Sequence, residues 1–189
     1  MVGNPIERFT LNTVGAVSQL VRQENYYLQA LIILYSAIDT LAWAGREDGD
    51  VTRDDFVFWV ERYMQPEKTL GCTAIDLYGA RCGLVHSGIA ESRLSRAGNT
   101  SVLWYATSPE TADILRQWVE DGAFGSDMSV KVVYFTELLA TFVEASHRFT
   151  QDIAHDQVRR ERVQERVRQW LNFMPHSQVR SYIDSQQED

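Results

Sequence analysis

The chain has 189 residues, of which 44% are hydrophobic and 11% aromatic, which excludes a disordered chain and supplies one globular domain with a full core. Its formal charge of −8 and pI near 5.0 exclude a surface that grips nucleic acid indiscriminately, because that requires many cationic groups facing phosphates. Any nucleic-acid site must therefore be local.

From the N-terminus, Val14, Val17, Leu20 and Val21 recur at helical spacing, and the sequence is apolar almost all round from Tyr26 to Trp43. This predicts one long helix, or two abutting ones, from Thr13 to about Ala44, with the second part central. Between Glu24 and Asp39 run only 14 uncharged residues, including Asn25, Gln29 and Ser36, which is short and polar for a bilayer span, so no membrane partner is expected. The start, Met1 to Arg8, lacks the basic-then-apolar order of a secretory signal, and Cys72 and Cys82 show no Cys-x-x-Cys spacing. A cytoplasmic location with reduced thiols is the expectation.

Gly45 to Asp50 reads as a polar turn, and Thr52 with Asp54 and Asp55 starts a helix through Tyr63. Pro66 and Gly71 separate it from the next helix, at 73–87. Residues 89–128 read as an insertion. Within it, 101–106 is a candidate short strand, paired either in a hairpin with residues near 90–95 or with a second protomer, and Glu110 to Asp121 is helical. Val130 to His147 and Val158 to Leu171 form the last two helices, the helical part running to about Met174, and 175–189 is a polar tail. The expected fold class is all-α, a single helical domain over 1–189 with core helices at about 13–88 and 129–174 and a small irregular or β insertion near 90–108.

The helix at 73–87 carries the feature with most chemical content, Arg81-Cys82-Gly83-Leu84-Val85-His86-Ser87-Gly88. Histidine exchanges protons near neutral pH, and arginine offers a permanent charge shaped for phosphate oxygens. At about 100° per residue, Ile75, Tyr78, Cys82 and Val85 share one face, Leu77 and Leu84 a second, and Arg81 falls between them with His86 about 140° away. With 16 arginines and 4 histidines, this spacing arises by chance roughly 0.3 times in such a chain, so spacing alone is weak evidence. A histidine at a helix C-terminus also caps carbonyls, and a core-facing arginine also serves as a structural ion-pair member.

An apolar helix followed by one that closes in Arg-x4-His-Ser-Gly resembles the HEPN superfamily, whose motif is Arg-x4–6-His, often within a phrase similar to Arg-Asn-x-Leu-Val-His-Gly. The resemblance covers residues 15–88 well and the helices after about 129 only by type. It implies an all-helical bundle and, for many active members, a metal-independent endoribonuclease whose motifs from two protomers meet in a homodimer; other members are non-catalytic binding or scaffold domains. Arg81 and His86 would be the catalytic pair, acting on single-stranded RNA or a nucleotide, with no cofactor and no metal. A toxin–antitoxin or defence role with a protein antitoxin as partner belongs to the same expectation. Cys82 is a departure, since active members usually carry Asn, Asp or His directly after the arginine.

Ser36, Asp39 and Thr40 form one polar spot on the apolar helix before the motif. Asp39 either pairs with Arg81 and fixes its direction, or faces solvent or caps a local turn. Tyr78, one turn before Arg81, either adds a hydrogen bond or stacking ring or is a half-buried core tyrosine. The arginine run from Arg159 to Arg168 reads either as a solvated face with ion pairs or as an RNA-binding face. His147, His155 and His176 lack metal-ligand spacing, and no Gly-x-Gly-x-x-Gly, phosphate-loop, His-Glu-x-x-His or Gly-x-Ser-x-Gly motif occurs.

Overall fold

The structure, a computed structural model, describes residues 4–23, 25–49, 52–123, 129–170 and Arg180. Asn4 begins it: its side chain accepts from the Ile6 amide at 3.0 Å, and Pro5 occupies a first-turn position where no amide is needed. Helix α1 (Pro5–Val21) therefore starts well before Thr13, where apolar spacing had placed it. Helix α2 (Tyr27–Gly45) is separate from it and packs against four other long helices and a short one, burying Leu34, Tyr35, Ile38 and Leu41 completely. With Asp39 counted in, α2 is long and apolar enough to meet the length and composition of a membrane span, contrary to the estimate from uncharged residues alone. Half of that span is buried inside this fold, as in a central core helix.

Helix α3 (Arg53–Trp59) opens with a reciprocal capping box between Thr52 and Asp55 and runs into a π-helical turn, Val60–Met64, which stops at Gln65 with φ of 53°. After the short α4 (Pro66–Thr69), α5 (Ala74–Ser87) begins with a second capping box, Thr73 with Asp76. Helix α5 lies beside α2. Its buried surface is broader than the apolar stripes indicate. Leu77, Ala80 and Leu84 face the main core, while Gly79 and Gly83 receive the returning chain of residues 89–100. A Cβ on Gly83 would stand 2.6 Å from the Ile89 carbonyl oxygen and 2.7 Å from that of Glu91, so only glycine permits this approach. Ile75, Tyr78, Cys82 and Val85 are half-buried.

The insertion differs from expectation. Residues near 90–95 do not pair with the strand; they lead into α6 (Arg93–Arg96), capped by Ser92. Strand β1 (Val102–Ala106) pairs in parallel with β2 (Val130–Tyr134), in the register Val102 to Val130 and Ala106 to Tyr134, and α7 (Pro109–Glu120) crosses between them. The insertion is thus a βαβ unit extending to Tyr134, with a small core of Ala106, Ala112 and Val132. Helix α8 (Phe135–Ala154) starts directly after β2, so the segment from Val130 is strand first and helix second. The fold remains mostly helical, with this two-stranded sheet its one β element among the described residues.

Helix α9 (Gln157–Arg168) closes the bundle, and its arginines point inward or along the chain. Arg166 donates to the carbonyls of Ala44, Arg46 and Glu47, and Arg162 to that of Glu47, so the C-terminal end of α2 is capped by guanidinium groups. Arg159 pairs with Asp152 and donates to the Tyr63 hydroxyl at 2.6 Å, Arg160 donates to the Ala154 carbonyl, and Arg168 pairs with Glu165. Of the two readings of this run, the structural one fits these contacts. The helix ends at Arg168 with Gln169 as its C-cap, short of the expected run through Leu171 to Met174; residues 171–179, with Leu171 and His176, and 181–189 lie outside the described residues.

Candidate active site

The site is assembled from two neighbouring helices. The αL cap at Gly88, with φ of 67° and its amide bonded to the Leu84 carbonyl at 3.0 Å, ends α5 one residue beyond Ser87 and leaves His86 exposed in its last turn. Arg81 stands on the same helix and Asp39 on α2. Arg81 Nε donates to Asp39 Oδ2 at 2.6 Å, and Arg81 Nη1 lies 2.9 Å from His86 Nε2. Of the alternatives for Asp39, the ion pair is realised. The 140° between Arg81 and His86 does not part them, because the long arginine stem crosses the helix surface.

The pair is only partly shielded, with the side chains of Arg81 and Asp39 at 21% and 23% exposure. Burial pushes the Asp39 carboxyl above its ordinary value of 3.8, outweighing the pull of Arg81. Burial works against the Arg81 charge too, but the Asp39 contact more than restores it, so the guanidinium stays charged. Tyr78 is half-buried, its ring edge against Phe56 at 5.5 Å, and burial followed by the neighbouring Cys82 thiol raises its hydroxyl, which keeps it protonated. Cys82 is half-buried and in reach of Tyr78 and Arg81. Ser36 is exposed, and its carbonyl accepts from the Thr40 hydroxyl at 2.8 Å, so the polar spot resolves into an internal Ser36–Thr40 contact and an Asp39 that reaches the motif.

Contacts that sequence reasoning passed over tie the elements around the site together. Asp76, 3% exposed, accepts from the Thr73 amide at 3.0 Å, the Ser101 amide at 2.7 Å and Lys131 Nζ at 2.9 Å, joining α5 to the start of β1 and to β2. Burial alone would raise its carboxyl, but these donors more than reverse that and hold it below 3.8. Tyr35 of α2 and Tyr105 of β1 share a hydroxyl–hydroxyl bond of 2.6 Å that ties α2 to β1. The Thr73-x-x-Asp76 capping box was a readable signal for the first contact; nothing local announced Lys131 or the tyrosine pair.

Three clefts lie elsewhere: one of about 420 Å³ beside β2 and α7, lined by Leu70, Arg116 and Lys131, one of about 400 Å³ between α1, α8 and α9, and one of about 310 Å³ between the end of α2, α3 and α9, lined by Gly45, Phe58, Trp59 and Arg159. Arg81 and His86 line none of these. His86 is exposed at the surface and Arg81 half-buried beside it. Compared with known proteins, the chain matches no family model, no curated protein and no solved structure.

Proposed function

We propose that this protein is a HEPN-like, metal-independent endoribonuclease acting on single-stranded RNA. The observation that carries the reading is the connected row Asp39–Arg81–His86, in which a charged guanidinium held by a carboxylate touches an exposed imidazole. Arg81 stabilises charge on the scissile phosphate, and His86 takes the proton of the attacking 2′-hydroxyl or returns one to the leaving oxygen. One motif supplies one proton-transfer group, whereas acid–base cleavage commonly uses two. A homodimer that brings two motifs together completes the site. Asp39 is the positioning residue, and Tyr78 and Cys82 are half-buried neighbours of Arg81.

Cleavage of single-stranded RNA by the wild-type protein is expected to persist in EDTA and to spare DNA, which lacks the 2′-hydroxyl. His86→Ala should lower the rate by about 100-fold or more while the protein stays folded. Protein that cuts no RNA over a range of sequences, or a His86→Ala variant as fast as wild type, sinks the nuclease reading. It then yields to a second one, a non-catalytic HEPN-like domain that binds nucleotide, RNA or a protein partner. The observation favouring that reading is Cys82 in the position after Arg81, together with the arginines of α9 being engaged in the fold instead of lining a phosphate track.

A further inference from the structure

We propose that Arg81 masks the proton-accepting nitrogen of His86 in the resting protein, and that an anionic phosphate unmasks it by taking Arg81 Nη1 for itself. The proposal rests on the nuclease reading of the site and adds how that site is switched. A guanidinium has only N–H donors, so the 2.9 Å contact between Arg81 Nη1 and His86 Nε2 requires Nε2 to be the acceptor. The imidazole is therefore neutral, with its proton on Nδ1. The lone pair a general base would use is already occupied by Arg81.

The other end of Arg81 explains how that occupation is released without losing the site. Asp39 holds Nε at 2.6 Å from a different helix, so the guanidinium is anchored independently of His86. A phosphate oxygen carries charge, and a charge-assisted hydrogen bond is about twice as strong as one to a neutral acceptor. Arriving at the exposed side of Arg81, phosphate displaces the imidazole from Nη1, and the Asp39 contact keeps the guanidinium where the phosphate now sits. His86, exposed in the last turn of α5, is then free to turn Nε2 toward a hydroxyl. Binding of the correct charge and creation of the base become one event.

The test reads the ring nitrogens directly. Full-length protein carrying ¹⁵N-histidine is examined by long-range proton–nitrogen correlation at pH 8, with His86 assigned from its loss in His86→Asn. The expected result is an unprotonated Nε2 and a protonated Nδ1 at rest. Titration with inorganic phosphate, or with a single-stranded oligoribonucleotide whose 2′-hydroxyls are methylated, should then shift the Nε2 resonance saturably. In the double variant Asp39→Asn/Arg81→Gln, which leaves no unpaired charge, the resting tautomer should already be mixed. A resting Nε2–H histidine, a double variant indistinguishable from wild type, or an Nε2 resonance that neither probe moves would each overturn the masking. None of these outcomes depends on cleavage. A protein that cuts RNA with an Nε2–H histidine loses the mask and keeps the nuclease, and one that cuts nothing but shows the shift keeps the mask.

Discussion

Two carboxylates bind α5 in opposite states, Asp76 in its own first turn and Asp39 reaching it from α2. At the N-terminal end Asp76 is almost fully enclosed, takes donors from three residues and is held below its ordinary value. Near the C-terminal end Asp39 takes one guanidinium nitrogen and is pushed above it. A saturated carboxylate fixes structure, and its removal leaves several buried donors stranded. A carboxylate with a single partner and capacity to spare orients a neighbour at small cost to the fold. The contrast places the fold's anchor and the candidate chemistry at opposite ends of one 14-residue helix.

The largest test of this contrast is Asp76→Ala. It strands Lys131 and the amides of Thr73 and Ser101, so a loss of about 3 kcal/mol is expected in urea unfolding. A loss below about 1 kcal/mol would remove the distinction between the two ends. Next come the glycines that let the returning chain approach. At Gly83 the obstacle to a Cβ is backbone, and strain of about 1–3 kcal/mol exceeds the helix-propensity gain of about 1, so Gly83→Ala should destabilise. At Gly79 the obstacle is the Thr100 side chain, with Oγ1 2.6 Å, Cβ 3.1 Å and Cγ2 3.2 Å from the new Cβ, so Gly79→Ala should also destabilise, but by less, because a side chain yields more readily than two backbone carbonyls. Equal effects at the two positions would mean that the 89–91 turn yields as readily as one side chain.

The smallest effect sharpens the contrast most. Asp76 has a lowered carboxyl, so its contribution is full above the ordinary carboxylate value and is lost as pH falls through the folded value. Asp39 has a raised carboxyl, so its favourable share is present below the ordinary value and is lost as pH rises through the folded value. Subtracting Asp76→Asn and Asp39→Asn stability curves from wild type should give acid-range slopes of opposite sign, the Asp39 change staying within about 1 kcal/mol because the pair is partly exposed. Slopes of the same sign would refute the assignment of the two carboxylates to different states.

How far the sequence carried these features depended on whether their cause was local. The helix at 73–87, its capping residue and its glycine stop follow from neighbouring residues, and the Asp39–Arg81 pair follows from one polar spot on an apolar helix meeting one charge between apolar stripes. Strand β2 did not emerge because Val130 to Tyr134 runs without a turn into the strong periodicity of Phe135, Leu138, Phe142 and Phe149, which absorbed it; its β-branched density was the available signal. The parallel partner of β1 lies beyond an entire helix, and no short-range pattern encodes such a pairing. Gly83 sat inside the most closely read phrase of the chain, yet its role depends on carbonyls of a loop that folds back only after α5 ends.

The inward-turned arginines of α9 have a consequence for ionic strength. Basic residues engaged with the carbonyls at the end of α2 and with Asp152 do not form a track for a polyanion, while the chain as a whole keeps its formal charge of −8. If the proposed RNA substrate approaches, it meets net repulsion at long range and attraction only close to guanidinium groups at the surface, such as those of half-buried Arg81 and exposed Arg93 and Arg96. Salt shortens the repulsion, whose range is about 10 Å at 0.1 M, before it weakens the close contact. Association with RNA should first strengthen as salt is added from very low concentration, opposite to the steady weakening that counterion release imposes on proteins with many phosphate contacts.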